Sequence, residues 1–167
     1  MNDFQKYLQR YFDLIPEGDW LMSLDVVGQE TIDLYKTLKN GQEHLAYAHG
    51  KWSFRVLLQH LIDTEKIFNY RALRFSRGDA QQLVGFDENH YAEQSQEIFV
   101  PLSILIEEFE TVRKMSLLFF GNLSGAVLDR RGVANGNSVS VEEIGRLILG
   151  HNIHHLNIIK ERYTSLL

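Results

Sequence analysis

The chain of 167 residues contains no cysteine, which excludes disulfides, thiolate metal ligands and a cysteine nucleophile. Any metal ion must therefore be held by nitrogen or oxygen. Proline is nearly absent too: Pro16 and Pro101 are the two present, and each sits where a helix can begin. No stretch approaches the roughly 20 uninterrupted apolar residues of a membrane-spanning helix. Met1 to Arg10 interleaves polar with apolar residues and so reads as neither a signal peptide nor an anchor. Dense Lys/Arg blocks are also missing, and the net charge is −5, which argues against nucleic acid as the main partner. Arg71, Arg74 and Arg77 form the nearest thing to a basic patch, and Asp79 with the acidic stretch beyond it weakens that reading. These absences predict a soluble cytoplasmic protein that engages neither membrane nor nucleic acid.

What is present is hydrophobic surface at helical spacing. With 44% hydrophobic positions, the chain can bury a sizeable core and is expected to form a single domain over residues 1–167. Three-to-four spacing predicts a short helix near Asp3 to Leu14, broken at Ile15 to Asp19, and a longer one from Trp20 to Leu38, ended by Asn40-Gly41. Strongly amphipathic stretches follow from Trp52 to Ser76 and from Pro101 to Phe120, the second and third helices of a bundle. The link between them, Ala80 to Val100, is longer than most helix connections and so is expected to carry function or cover a pocket. Gly132 to Asn137 reads as a glycine and asparagine turn, after which Ser140 and Glu143, spaced as a capping box, open a last helix running to about Tyr163. The predicted fold is all-α, a four-helix bundle with a long crossover between helices two and three.

Of the seven histidines, three point inward on a helical projection. At about 100° per residue, Ile144, Leu147, Ile148, His151, His155, Ile158 and Ile159 share one stripe of the last helix. His151 and His155, one turn apart, present two imidazoles to one point in space. The same projection groups Val56, Leu57, His60, Asp63, Thr64, Ile67 and Phe68, so His60 also faces the core. A lone inward histidine is more often a hydrogen-bonded core residue than a ligand. Two stacked imidazoles, however, are costly to bury unless something satisfies both. Three neutral histidines with a fourth position open is the composition of a catalytic zinc site, although imidazole suits nickel, copper and iron as well. His154 lies on the flank of the stripe and is a weaker, outer candidate. Asp63 is placed to orient a ligating ring, or else to form a surface ion pair with Lys66. Arg71 and Arg74, further along that helix, offer a site for an anionic substrate group or bridges between helices. His44, His49 and His90 read as solvated.

These elements resemble those of a known family. The segment Lys51 to Glu65 (KWSFRVLLQHLIDTE) is similar to the part of the DinB-like, or YfiT-like, superfamily in which a Trp-Ser pair opens the second helix and a metal-binding histidine follows. Gly150 to Leu156 (GHNIHHL) resembles its last-helix His-x-x-His-His element. Arg71 to Asp79 and Gly85 to Glu88 resemble one branch of it. The likeness runs from about Trp20 to Tyr163. It implies a four-helix bundle, usually a homodimer, holding zinc or nickel through His60, His151 and His155. Members include thiol transferases that use bacillithiol or mycothiol and many proteins described only as metal-dependent hydrolases.

Two chemistries share such a site: attack by a water of lowered pKa, giving a hydrolase, or attack by a low-molecular-weight thiol held as thiolate, giving an S-transferase. Asn152 follows His151 where a His-Glu-x-x-His peptidase carries its glutamate, so that motif is absent. This weighs against proteolysis; thiol transfer to a small-molecule substrate stands ahead of hydrolysis chiefly as what the resemblance implies. The rival from another class is a non-catalytic dimeric metal-binding or stress-response protein. Leu149, Ile153 and Leu156, on the far side of the last helix, are expected to form an uncovered apolar patch for such a dimer.

Overall fold

The computed structural model describes residues 2–97 and 99–167. Its elements are α1 (Asp3–Phe12), α2 (Trp20–Lys36), α3 (Phe54–Ser76), α4 (Glu88–Ser95), α5 (Leu102–Gly121), α6 (Gly125–Leu128), α7 (Val141–Arg162) and a small hairpin of β1 (Arg131–Ala134) and β2 (Asn137–Ser140). The helices start where capping chemistry dictates. Asn2 and Gln5 form a capping box at α1, the Asp19 carboxylate accepts from the Leu21 and Met22 amides at α2, Ser53 caps α3, and Ser140 with Glu143 forms the expected box at α7.

The four long helices α2, α3, α5 and α7 make the bundle. Both α3 and α2 pack against α5 and α7, so the consecutive helices α2 and α3 stand on a diagonal. Aromatic contacts at the two ends give the directions. At one end the Tyr35 hydroxyl donates to the Phe54 carbonyl at 2.8 Å and the Tyr163 ring lies 4.8 Å from that of Phe54. At the other, Trp20 meets Phe120 at 5.6 Å, centroid to centroid. Helices α3 and α5 therefore run the same way, and α2 and α7 run the opposite way. Parallel neighbours cannot be joined by a tight turn, because the chain must travel back along the bundle first. That return is the long crossover, and α4 lies within it, packed on α3.

The glycine and asparagine stretch turns out to be a hairpin rather than a plain turn. Asn135 and Gly136 both have positive φ, 49° and 73°, the signature of a two-residue type I′ turn. The crossover adds to this hairpin edge: the Leu83 amide donates to the Val133 carbonyl and the Asn135 amide to the Leu83 carbonyl, both at 2.9 Å.

The patch expected at Leu149, Ile153 and Leu156 is covered. Leu149 and Leu156 are buried in the core and Ile153 packs against it. The cover is the chain's own α1, which lies along α7, with α2 on the adjoining side. Gly150 permits this approach, since a β-carbon there would stand 2.5 Å from the Tyr11 carbonyl oxygen. Among the described residues no helix is long and apolar enough to cross a membrane.

Candidate metal centre

His60 on α3 and His151 and His155 on α7 converge as the projection predicts. All three are buried, and their ligand atoms lie within 4.8 Å of one another. The Nε2 atom of His151 is 3.0 Å from that of His60 and 3.1 Å from that of His155. Burial holds each ring in its neutral form: His60 is lowered to about 4 and His155 to about 3, while His151 is driven down by burial and by the two neighbouring imidazoles. A pyridine-type ring nitrogen has one lone pair, so a proton placed among three such atoms serves one contact well and leaves another poorly matched. A cation serves all three. A tetrahedral ion with nitrogen bonds of 2.0–2.1 Å holds its ligand atoms about 3.4 Å apart, close to the 3.0 and 3.1 Å that separate His151 Nε2 from the other two. The donor set and its geometry therefore fit a divalent transition metal.

Two aromatic residues wall the centre. The Trp52 ring lies 4.8 Å from that of His60 and is stacked on His155 at 6.4 Å. Tyr11 meets His151 at 5.8 Å and His154 at 5.6 Å. The sequence reading named Trp52 only as the residue that opens the second helix, and it did not single out Tyr11, which lies on α1, outside the helices that carry the histidines. His154 is half-buried and does not join the cluster of three. Asp63 stays apart as well, its carboxylate accepting from Gln59 Nε2 at 2.9 Å, while Lys66 pairs with Glu108. His44, His49 and His90 are exposed.

A cavity of about 270 Å³ opens onto His151. Its wall includes Phe68, Ile144 and Leu147 together with Tyr7, Thr64 and Arg71, and the hairpin and the crossover close its far side. Thr64 Oγ1 is buried without a hydrogen-bond partner among the described residues. The one acidic residue lining this cavity, Glu88, is exposed.

Beneath the histidines lies a polar network that the sequence reading missed. Arg113 on α5 binds Glu65 on α3 through two parallel hydrogen bonds, Nε to Oε1 at 3.0 Å and Nη2 to Oε2 at 2.9 Å. It also donates to the Leu24 carbonyl and to Asn152 Oδ1, at 2.7 and 2.8 Å. Asn152 in turn donates to Thr31, so all four bundle helices are tied together next to His151. The signal was present in the sequence: Phe109, Arg113, Ser116 and Phe120 share one helical stripe, which puts an arginine among core positions. Asn152, in the place of a peptidase glutamate, is thus turned toward this network and not toward the histidine nitrogens.

Residues 23–159 match the model of the DinB superfamily. The fold is similar to that of YfiT from Bacillus subtilis, described as "a probable metal-dependent hydrolase with an unusual four-helix bundle topology", with a TM-score of 0.76 and 16% identity over 88% of this chain and 85% of that one. Among curated proteins none matches the sequence.

Proposed function

Given that the chain belongs to the DinB superfamily, we propose that it is a divalent-metal-dependent enzyme acting on a small molecule, with His60, His151 and His155 as ligands and zinc or nickel as the ion. Thiol transfer is the reaction that the surroundings favour. The observation that carries this reading is the absence, among the described residues, of any carboxylate bonded to the three rings or joined to their cluster. A carboxylate beside the ion would serve base-assisted hydrolysis, so its absence weighs against that mode and leaves only a water activated by the ion alone. An ion bound here would supply a Lewis acid able to hold a low-molecular-weight thiol, of bacillithiol or mycothiol type, as thiolate.

The chain's own residues supply the rest. Burial keeps the imidazoles deprotonated and ready to ligate. Trp52 and Tyr11 restrict water around them, and the cavity at His151 admits a small substrate from one side. The first test is elemental analysis of untagged protein beside His151→Ala, with melting recorded for both. About one equivalent of transition metal in the native protein, lost in a folded variant, is the expected outcome. Native protein that carries no metal and takes none up on addition would overturn the proposal. With the ion established, transfer of a thiol to an electrophile is expected to exceed ester or amide hydrolysis; the reverse order would assign the hydrolase.

A further inference from the structure

Arginine side chains in this protein are matched with acid partners at several points. Buried Arg113 has Glu65, half-buried Arg74 has Asp79, and exposed Arg131 has Glu143. Arg71 differs. It is half-buried in the cavity wall that also holds His151, and among the described residues no carboxylate lies within ion-pair reach of it. Its guanidinium is positioned by other means. One Nη2 bond runs to the Val84 carbonyl at 3.0 Å, and the rings of Phe68 and Phe86 each lie 5.8 Å from its central carbon. Those contacts leave most of its five N–H donors without an acidic acceptor. A partly desolvated cation held in place without a counter-charge favours an anion brought from outside.

The remainder of the cavity limits what that anion can be attached to. Besides Arg71 and His151 the lining includes Phe68, Ile144 and Leu147, which suit an apolar segment. The volume of about 270 Å³ is below the range of drug-sized pockets. Resting on the proposed function for the position of the reacting group, we infer that the substrate site takes a small carboxylate-bearing molecule, with its carboxylate on Arg71, an apolar middle against Phe68 and Leu147, and its reacting end at His151, the member of the histidine cluster that lines the cavity. Arg71 is then the specificity-determining residue. Burial of the guanidinium, which lowers its pKa from the ordinary arginine value, agrees with a site that gains when an anion arrives.

Calorimetric titration with hexanoate and with 1-hexanol, on zinc-loaded and on metal-free protein, tests the inference. Hexanoate is expected to bind more tightly than hexanol to both forms. Arg71→Gln should weaken hexanoate roughly tenfold or more and leave hexanol unchanged, the size expected for charge-assisted hydrogen bonds. Arg71→Lys, which keeps the charge, should retain part of the preference, and melting of both variants verifies that they fold. Equal binding of acid and alcohol to the native protein would overturn the inference. So would hexanoate binding that requires zinc and is indifferent to Arg71→Gln, because the carboxylate would then sit on the ion. Failure of the metal proposal is separately visible: elemental analysis would find no ion, while the Arg71-dependent preference persists in the metal-free protein.

Discussion

His60 and His155, buried and with pKa values lowered to about 4 and 3, refuse protons that the unfolded chain accepts near pH 6.5. His151 is displaced in the same direction. As pH falls below about 6.5, the unfolded state therefore gains protons that the native state does not, and stability declines until the folded values are reached. Each ring contributes up to about 1.4 kcal/mol per pH unit in that interval. Urea midpoints of metal-free protein should drop progressively between pH 6.5 and pH 4; a level profile would mean that the rings are charged in the native protein. The inward position of these histidines was legible from periodicity, since it depends only on angle around a helix. The partners of Asp63 and Glu65 were not. Both lie on the helix that carries His60; Asp63 takes Gln59 of its own helix, one turn away, whereas Glu65 takes Arg113 and Lys66 takes Glu108 from α5, a pairing between helices that a single-helix projection does not contain.

Among the elements, α1 owes its approach to α7 to one glycine of that helix. A β-carbon at Gly150 would stand 2.5 Å from the Tyr11 carbonyl oxygen, and backbone cannot swing aside as a side chain can. Alanine normally gains about 1 kcal/mol over glycine within a helix, but forced separation of packed elements costs about 1–3 kcal/mol. Gly150→Ala is thus expected to lower the melting temperature in spite of its better helix propensity, and to loosen Tyr11 from His151. A rise in melting temperature would show that α1 adjusts freely. The helix start at Ser140 was readable from its capping box, while the one placed at Trp52 falls at Phe54, after the Ser53 cap; the two four-residue strands were not readable: Asn135-Gly136 signals a hairpin, but strands so short leave little alternation to detect.

For the whole molecule, the four long helices were legible and their arrangement was not. Nothing in the individual patterns states that α3 and α5 run parallel, and only the length of the crossover hinted at a return path along the bundle. The misreading of Leu149 and Leu156 has the same origin. The projection of α7 identified a second apolar face, and α1 and α2 were available in the sequence to cover it, but the pairing of faces is a property of the assembled bundle.

His60 and His151 are 91 positions apart in sequence, and a ligand common to both would close a loop of that length. In a chain without cysteine, such an ion would do what a disulfide does elsewhere, cross-linking distant segments and withdrawing conformational freedom from the unfolded ensemble. For a covalent loop near 100 residues that contribution is about 4–5 kcal/mol in the chain-entropy model. Addition of zinc or nickel is accordingly expected to raise the melting temperature by several degrees and chelation to reverse it, whereas His151→Ala should melt at the same temperature with or without metal. Unlike a disulfide, this staple would open and close with the supply of free ion, so the protein's persistence in a cell would follow the local metal concentration.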